Sequence, residues 1–357
     1  MNRRIPAERP IPRLPDREAK IGLLLAILVL TVFVSLSMGS VNLSMQRILS
    51  ILIEKAIHMT PDNLHQMRTF EEVIVLQIRL PRVLVGVMVG ASLAISGVVF
   101  QAIFKNPMAD PFVTGVSSGA ALGASIGIVA GVGRAVFGLG FISISALLGA
   151  LGTILLVSMI SRAQSGDQTL RLLLSGLSVN YLFSALTSMI MILSGEELHA
   201  VISWLMGGLT SSTWTHVEVG LPVTLLGIVG TYLSSREMNV MLLSDEEAQH
   251  LGVEVERTRR RLLILASATT AVAVSLTGTI GFVGLITPHI ARVIFGPDHR
   301  ILVPTSAILG SIMLVISDAV ARTILSPSEI PVGIVTSLLG GPFFIYLLAG
   351  RMKTGSQ

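Results

Sequence analysis

Six stretches of this chain, 83–104, 112–133, 135–161, 172–195, 262–286 and 330–350, run without a charged residue. Each is long enough to cross a bilayer core, which takes about 20 apolar residues. Inside that core the backbone has no water to bond, so a crossing segment satisfies its own N–H and C=O groups as a helix. The chain therefore reads as an all-α polytopic membrane protein. Composition agrees: 13% of residues are charged, against about 25% in soluble domains.

Taken in order, the pattern predicts ten spans, at about 21–38, 83–104, 112–131, 136–160, 172–193, 215–233, 262–280, 285–296, 301–321 and 331–350. Residues 1–20 hold four prolines and six basic residues and read as a disordered or surface-lying cytoplasmic segment. Residues 21–357 read as one transmembrane domain. The run from Ile21 is too long for a signal peptide and lacks a small-residue cleavage site, so it counts as a span. Residues 39–82 form a long polar connection, with Thr60-Pro61-Asp62 as a helix start. Ser194 and Glu197 form a capping-box pattern before a short apolar helix through Trp204 to Gly207 and Gly208, too short to cross and read as re-entrant or interfacial. Ten spans put both termini on one side. With that side inside, 18 of the 25 Lys and Arg residues fall in cytoplasmic segments, as the positive-inside rule requires.

The loop 234–261 is the one long charged segment between spans in the C-terminal two thirds. Ser244 with Glu247 predicts a capped helix starting at Asp245, and Gly252 ends it in a left-handed turn. A second short helix is expected from Val253 into Arg257, Arg259, Arg260 and Arg261. A stiff helix–turn–helix on the basic side suits a partner; an ordinary loop anchored by basic residues is the other reading.

Several chemistries are missing. There is no cysteine, hence no disulfide or thiolate site. No G-x-x-x-x-G-K-[ST] loop occurs, so the chain does not itself hydrolyse nucleotide, and no H-E-x-x-H spacing suggests a metal. His289 beside Pro288 reads as a packing or capping residue. Carboxylates are nearly absent from the spans, whereas ion-coupled carriers use them. Asp318 is the exception, and Arg322 one helical turn on gives it a local ion pair. A polytopic enzyme would need a catalytic cluster at one face, and none is found. A secondary carrier or channel remains as the alternative to an externally powered permease.

Arg79, Arg82 and Arg322 fall at the external face, against the charge bias. They are either snorkelling cations or fixed charges for carboxylates of an external partner. Glycine, alanine and serine crowd the second to fourth spans, which suits close helix packing and is compatible with a polar path. In the fifth span Ser175, Ser178, Asn180, Tyr181, Ser184 and Thr187 either line a weakly polar path or pack helices.

The motifs Arg79-Leu-Pro-Arg82, 89–97, Gln101, Asn106-Pro-Met-Ala-Asp-Pro111 and Gly115-Val-Ser-Ser-Gly-Ala120 resemble the FecCD-type ABC permease family. So do Trp204-Leu-Met-Gly-Gly208, Glu247-Ala-Gln-His-Leu-Gly252, Gly281–Ile290, Gly296-Pro-Asp-His-Arg300, Asp318-Ala-Val-Ala-Arg322 and Glu329–Thr336. The resemblance covers about 75–350. It implies ten spans, and a homodimer (or a pair with a close paralogue) whose path follows the two-fold axis. It implies two ABC ATPase subunits that bind ATP and Mg, an extracytoplasmic solute-binding protein, and residence in the cell membrane. No cofactor in this chain and no nucleic-acid partner are implied. Iron–siderophore is the first expected substrate, vitamin B12 and haem come next, and oxyanions stay open as a further class. The resemblance assigns ATPase coupling to Ser244, Asp245, Glu246, Glu247, Ala248, Gln249, His250, Leu251, Gly252 and Val253. It assigns docking of the binding protein, through its glutamates, to Arg79, Arg82 and Arg322. The segment around 56–73 is longer than the family pattern.

Overall fold

The computed structural model describes residues 17–39, 41, 43–57, 69–131, 139–163 and 168–354. Among these the architecture is helical, with no β-strand. The helices are α1 (Arg17–Ser37), α2 (Met45–Ile57), α3 (Phe70–Ile103), α4 (Val116–Val129), α5 (Phe141–Arg162), α6 (Gln168–Leu193) and α7 (Leu198–Leu205). They continue with α8 (Trp214–Leu233), α9 (Ser235–Met241), α10 (Asp245–His250), α11 (Val255–Thr277), α12 (Val283–Phe295), α13 (His299–Thr323) and α14 (Val332–Thr354). Seven of them, α1, α3, α5, α6, α8, α11 and α13, are long and apolar enough to cross a membrane. α4, α12 and the stretch Val332–Leu347 of α14 are shorter apolar helices.

Helix α3 is the centre. It is almost wholly buried and packs against α8, α11, α12 and α13. It is also longer than the sequence suggests, beginning at Phe70 under a Thr69 cap rather than near residue 83. Part of the expected polar connection 39–82 is thus helix. Glu71, Glu72, Arg79 and Arg82 disguise it, but Ile74, Val75 and Leu76 join Leu36, Leu43, Ile48 and Ile51 in a buried cluster that holds the added turns. Pro81 cannot donate a bond back to Gln77. The segment just before it, Ile74–Arg79, is π-helical, with the Leu80 N–H bonded to the Val75 carbonyl; such turns are rare and are often found at functional sites. The Trp214 indole N–H bonds the Leu76 carbonyl at 2.9 Å. Thr60-Pro61-Asp62 lies outside the described residues.

Two other expectations change. Ser194 does not cap: its hydroxyl donates backwards to the Met191 carbonyl at 2.8 Å, and α7 follows a single 3-10 turn. The second short helix after Gly252 is the first two turns of α11, because nothing between Val255 and Leu262 breaks the helix.

Lipid offers no hydrophobic drive between helices, so close backbone approach must supply the contact energy. The small residues are placed for this. A Cβ on Gly97 would lie 1.7 Å from the Gly284 carbonyl oxygen. Gly90 and Gly310 bring α3 against α13, and Gly119 and Gly149 bring α4 against α5. Gly97→Val is expected to destabilise the protein by about 1–3 kcal/mol through overpacking, read as a lower thermal midpoint in nanodiscs. Gly152, whose Cβ would meet nothing within 4 Å, is the control: Gly152→Val should stay within about 0.5 kcal/mol.

Candidate functional site

The chemistry-bearing residues gather at the two ends of the long helices α3 and α13. The 25 residues of α13 separate them by roughly 37 Å at 1.5 Å per residue.

One end carries the loop helix α10. The Ser244 hydroxyl accepts from the Glu247 N–H at 3.2 Å, and the Glu247 carboxylate accepts from the Ser244 N–H at 3.0 Å, so the capping box is closed. Gly252 stands at φ +84°, a left-handed conformation that glycine adopts without penalty, and the Val253 N–H returns to the Ala248 carbonyl. Only Ala248 of this helix is buried; Glu246, Glu247, Gln249, His250 and Leu251 are exposed. Asp245 is the anchor. It accepts from Lys105 Nζ at 3.1 Å, at the end of α3, and from Arg259 Nη2 at 3.0 Å, on α11. Burial works against its ionisation, but the bonds from Arg259 and Lys105 outweigh it and hold the carboxyl below its ordinary value. Asn239, at the end of α9, donates to Asp298 at 2.7 Å and accepts from the His299 N–H at 2.9 Å, which ties the same region to the start of α13. The exposed helix is thus fixed by Asp245 to α3 and α11, and its neighbour α9 to the start of α13.

Between α3 and α4, Asp110 caps a 3-10 turn by accepting from the Phe112 N–H at 2.8 Å. Burial pushes its carboxyl up to about 6, against the lowering effect of that bond.

The other end carries the arginines, and each guanidinium is engaged inside the chain. Arg79 donates to the carbonyls of Leu36 and Ser37 at the end of α1 and of Val41 just beyond it. Gly39 leaves room for it, since a Cβ there would lie 2.8 Å from Arg79 Nη2. Arg82 grips Asp318 with Nε and Nη2, at 2.8 Å for the closest pair, and meets Glu329 with Nη1 at 2.9 Å. Arg322 pairs with Asp318 at 3.1 Å, the local pair expected from sequence, and reaches the Ser35 hydroxyl and the Met38 carbonyl. All three arginines are buried, so they are not the open surface cations that the sequence reading pictured. The continuation of α3 and the packing of α1 enclose them.

The fifth-span residues lie on α6, a helix with little of its surface covered. Ser178, Tyr181 and Ser184 are exposed, Asn180 is half-buried, and Ser175 and Thr187 are buried. Ser178 bonds the Leu174 carbonyl and Thr187 the Phe183 carbonyl, which leaves a face of low polarity. The sequence reading missed a cavity of about 940 Å³ under α7, lined among others by His199, Ser203, Thr210, His216, Thr277 and Glu329. Glu329, just before Pro331 in a quoted motif, was the available signal.

Three outcomes are expected. Asp318→Asn leaves two buried guanidiniums short of a charge partner and should cost about 3–5 kcal/mol, measured as unfolding in nanodiscs. Asp245→Asn should speed amide exchange across 244–253 relative to the neighbouring helices. In the wild type the Asp245 anchor, whose folded pKa is lowered, is present above about pH 4 and lost as pH falls further. Asp110 has the opposite sign: its folded pKa is raised, so its contribution is largest at low pH and is lost as pH rises from about 4 to about 6. Asp110→Asn keeps an acceptor for Phe112 and should flatten the thermal midpoint across that window.

A model of the FecCD transport family matches residues 27–350. The cobalamin import system permease protein BtuC of Halobacterium salinarum is 49% identical over 207 residues, covering 58% of this chain and 56% of that protein. The hemin transport system permease protein HmuU of Yersinia pestis is 37% identical over 60% of this chain and 64% of its own length. These alignments span about three fifths of such relatives. The molybdate import system permease protein MolB of Haemophilus influenzae is 37% identical over 96% of this chain and 99% of that protein. A solved metal-chelate type ABC transporter in an inward-facing conformation superposes with a TM-score of 0.79 at 33% identity, covering 93% of this chain and 99% of the other. With the helical architecture and its apolar spans, these matches place the chain as a multi-pass membrane protein that belongs to the FecCD transport family.

Proposed function

We propose that this chain is the membrane-spanning permease subunit of a binding-protein-dependent ABC importer for metal chelates. It pairs with a second copy of itself or a close paralogue. Two partner ATPases supply the energy, binding the ATP and Mg, and an extracytoplasmic solute-binding protein delivers the substrate. The observation that carries this reading is the helix α10, exposed on its surface and anchored beneath by Asp245 to α3 and α11. A cytoplasmic loop without a partner gains nothing from such stiffness. An ATPase gripping 244–253 would displace α10, and the Lys105 and Arg259 contacts would carry the movement to the core helices.

The chain's own residues supply no driving force. Among the described spans, the one buried carboxylate, Asp318, is already held by two arginines and so is not placed to carry coupled protons or sodium; Glu218, near the start of α8, is exposed. The substrate would be a chelate with its metal already wrapped, such as iron–siderophore, haem or vitamin B12. The low-polarity face of α6 would line the path, with selectivity left to the binding protein. The arginine end would receive that protein.

The test is ATP hydrolysis in liposomes by the chain assembled with its ATPases, with and without loaded binding protein. Stimulation by the binding protein is expected, and Leu251→Asp, on the exposed face of α10, should reduce it at least tenfold while the chain still inserts. Transport that proceeds with no ATPase bound would overturn the proposal in favour of a secondary carrier.

A further inference from the structure

Of the groups that hold the arginine end together, Glu329 is the one able to leave. Arg79 and Arg322 end on backbone carbonyls and on Ser35, which belong to the packing of α1. The Asp318 side chain is 2% exposed and held from both sides by guanidiniums. Glu329 is different. Its side chain is 37% exposed, it sits in the segment between α13 and α14, and it covers Arg82 Nη1 from outside. It also accepts from the Thr210 hydroxyl at 3.1 Å, and both residues line the cavity of about 940 Å³. One carboxylate thus joins α3, the turn after α7 and the lead into α14. The same two segments touch through backbone, with the Gly333 N–H on the Gly207 carbonyl at 3.3 Å.

Charge counting restricts what a partner could do here. Arg82 and Arg322 are balanced by Asp318 and Glu329. Each nitrogen of Arg82 is already engaged, Nε and Nη2 on Asp318 and Nη1 on Glu329, so a third carboxylate would have to crowd against two others in a poorly solvated place, which is costly. A carboxylate that replaces Glu329 keeps Arg82 paired, and the Glu329 side chain, 37% exposed, is the partner of Arg82 that solvent reaches.

We infer that Glu329 is a resident, replaceable counter-ion of Arg82: an acidic side chain of the external binding protein takes its place, and the 329–331 segment is released from the mouth of the cavity. This rests on the docking proposed above and narrows it to Arg82. Arg79 and Arg322 remain structural. It also links docking to the cavity without requiring the buried Asp318 to move.

The experiment uses the full transporter in nanodiscs and two readouts. The first is labelling of Arg82 by phenylglyoxal, followed by peptide mass spectrometry, in wild type and Glu329→Gln. Labelling should rise at least fivefold in the variant while Arg322 stays protected; no rise overturns the inference whatever the docking site. The second is affinity for the loaded solute-binding protein that co-purifies with the transporter. Glu329→Gln, which removes the competing charge, should bind at least fivefold tighter, and Arg82→Lys, which keeps charge but loses the fork, should bind more weakly. If Arg82→Lys weakens binding and Glu329→Gln does not tighten it, docking at Arg82 stands and the exchange is wrong. If neither changes it, docking at Arg82 falls and the inference with it. Thermal midpoints of both variants within a few degrees of wild type confirm that the comparison is between folded proteins.

Discussion

Asp318 is a carboxylate placed where water cannot reach it, and much of the arginine end follows from that. A buried charge persists only if it is paired and hydrogen-bonded. Arg322, one turn on, neutralises it from its own helix, and Arg82 approaches from α3 with a two-nitrogen grip. Two arginines for one carboxylate leave a positive excess, which Glu329 balances from the solvent side. The remaining donors of Arg322 must also be met, and the end of α1 meets them with carbonyls and the Ser35 hydroxyl. One acidic side chain thereby fixes how α1, α3 and α13 come together. Such clusters are weak evidence for net stability, since replacing them by apolar groups is often neutral. Their effect is to specify one arrangement of three apolar helices that could otherwise slide.

The rest of the bundle is specified by the absence of side chains. Gly90 against Gly310 and Gly97 against Gly284 set the depth at which α13 and α12 enter the surface of α3. Each approach is close enough that any Cβ would collide with backbone, so register is fixed sterically where no hydrophobic gradient exists between helices. Polar cross-links then lock what the glycines bring near: the Ser96 hydroxyl on the Ala266 carbonyl, Ser311 on the Val87 carbonyl, and Ser92 with Thr224.

Legibility in the sequence followed the type of signal. The apolar runs at 112–133, 172–195 and 301–321 were readable because a membrane imposes length and hydrophobicity together, and α4, α6 and α13 lie on them. The capping box at Ser244 was readable because its pattern is local, and its bonds close within three residues. The identical spacing at Ser194 failed because the chain there turns at Gly195, φ +53°, and the hydroxyl finds a carbonyl behind it instead. The start of α3 was hidden because its charged residues find their partners in segments 24 to 247 positions away, information that no local window contains. The same distance hid Glu329, whose partners Arg82 and Thr210 stand 247 and 119 residues from it.

The two ends of the bundle are built on opposite plans, and the difference bears on how they could communicate. At the loop end, polar side chains are spent on anchoring a short helix whose outer face stays open. At the arginine end, cations are drawn inward and satisfied, leaving one exposed carboxylate at the rim of a cavity. The connection between the ends is made of whole helices rather than a relay of side chains. α3 carries Arg82 in its first half and leads to Lys105 beyond its far end, while α13 starts at the Asn239 contact and ends near Arg322. Because glycines hold these two helices backbone to backbone at Gly90 and Gly310, neither can shift along its length without the other. On the proposed function, a displacement applied at α10 would reach the arginine end through the α3–α13 pair. The contact it would strain first is the one with a half-exposed partner, Glu329 on Arg82, and not the enclosed pairs around Asp318.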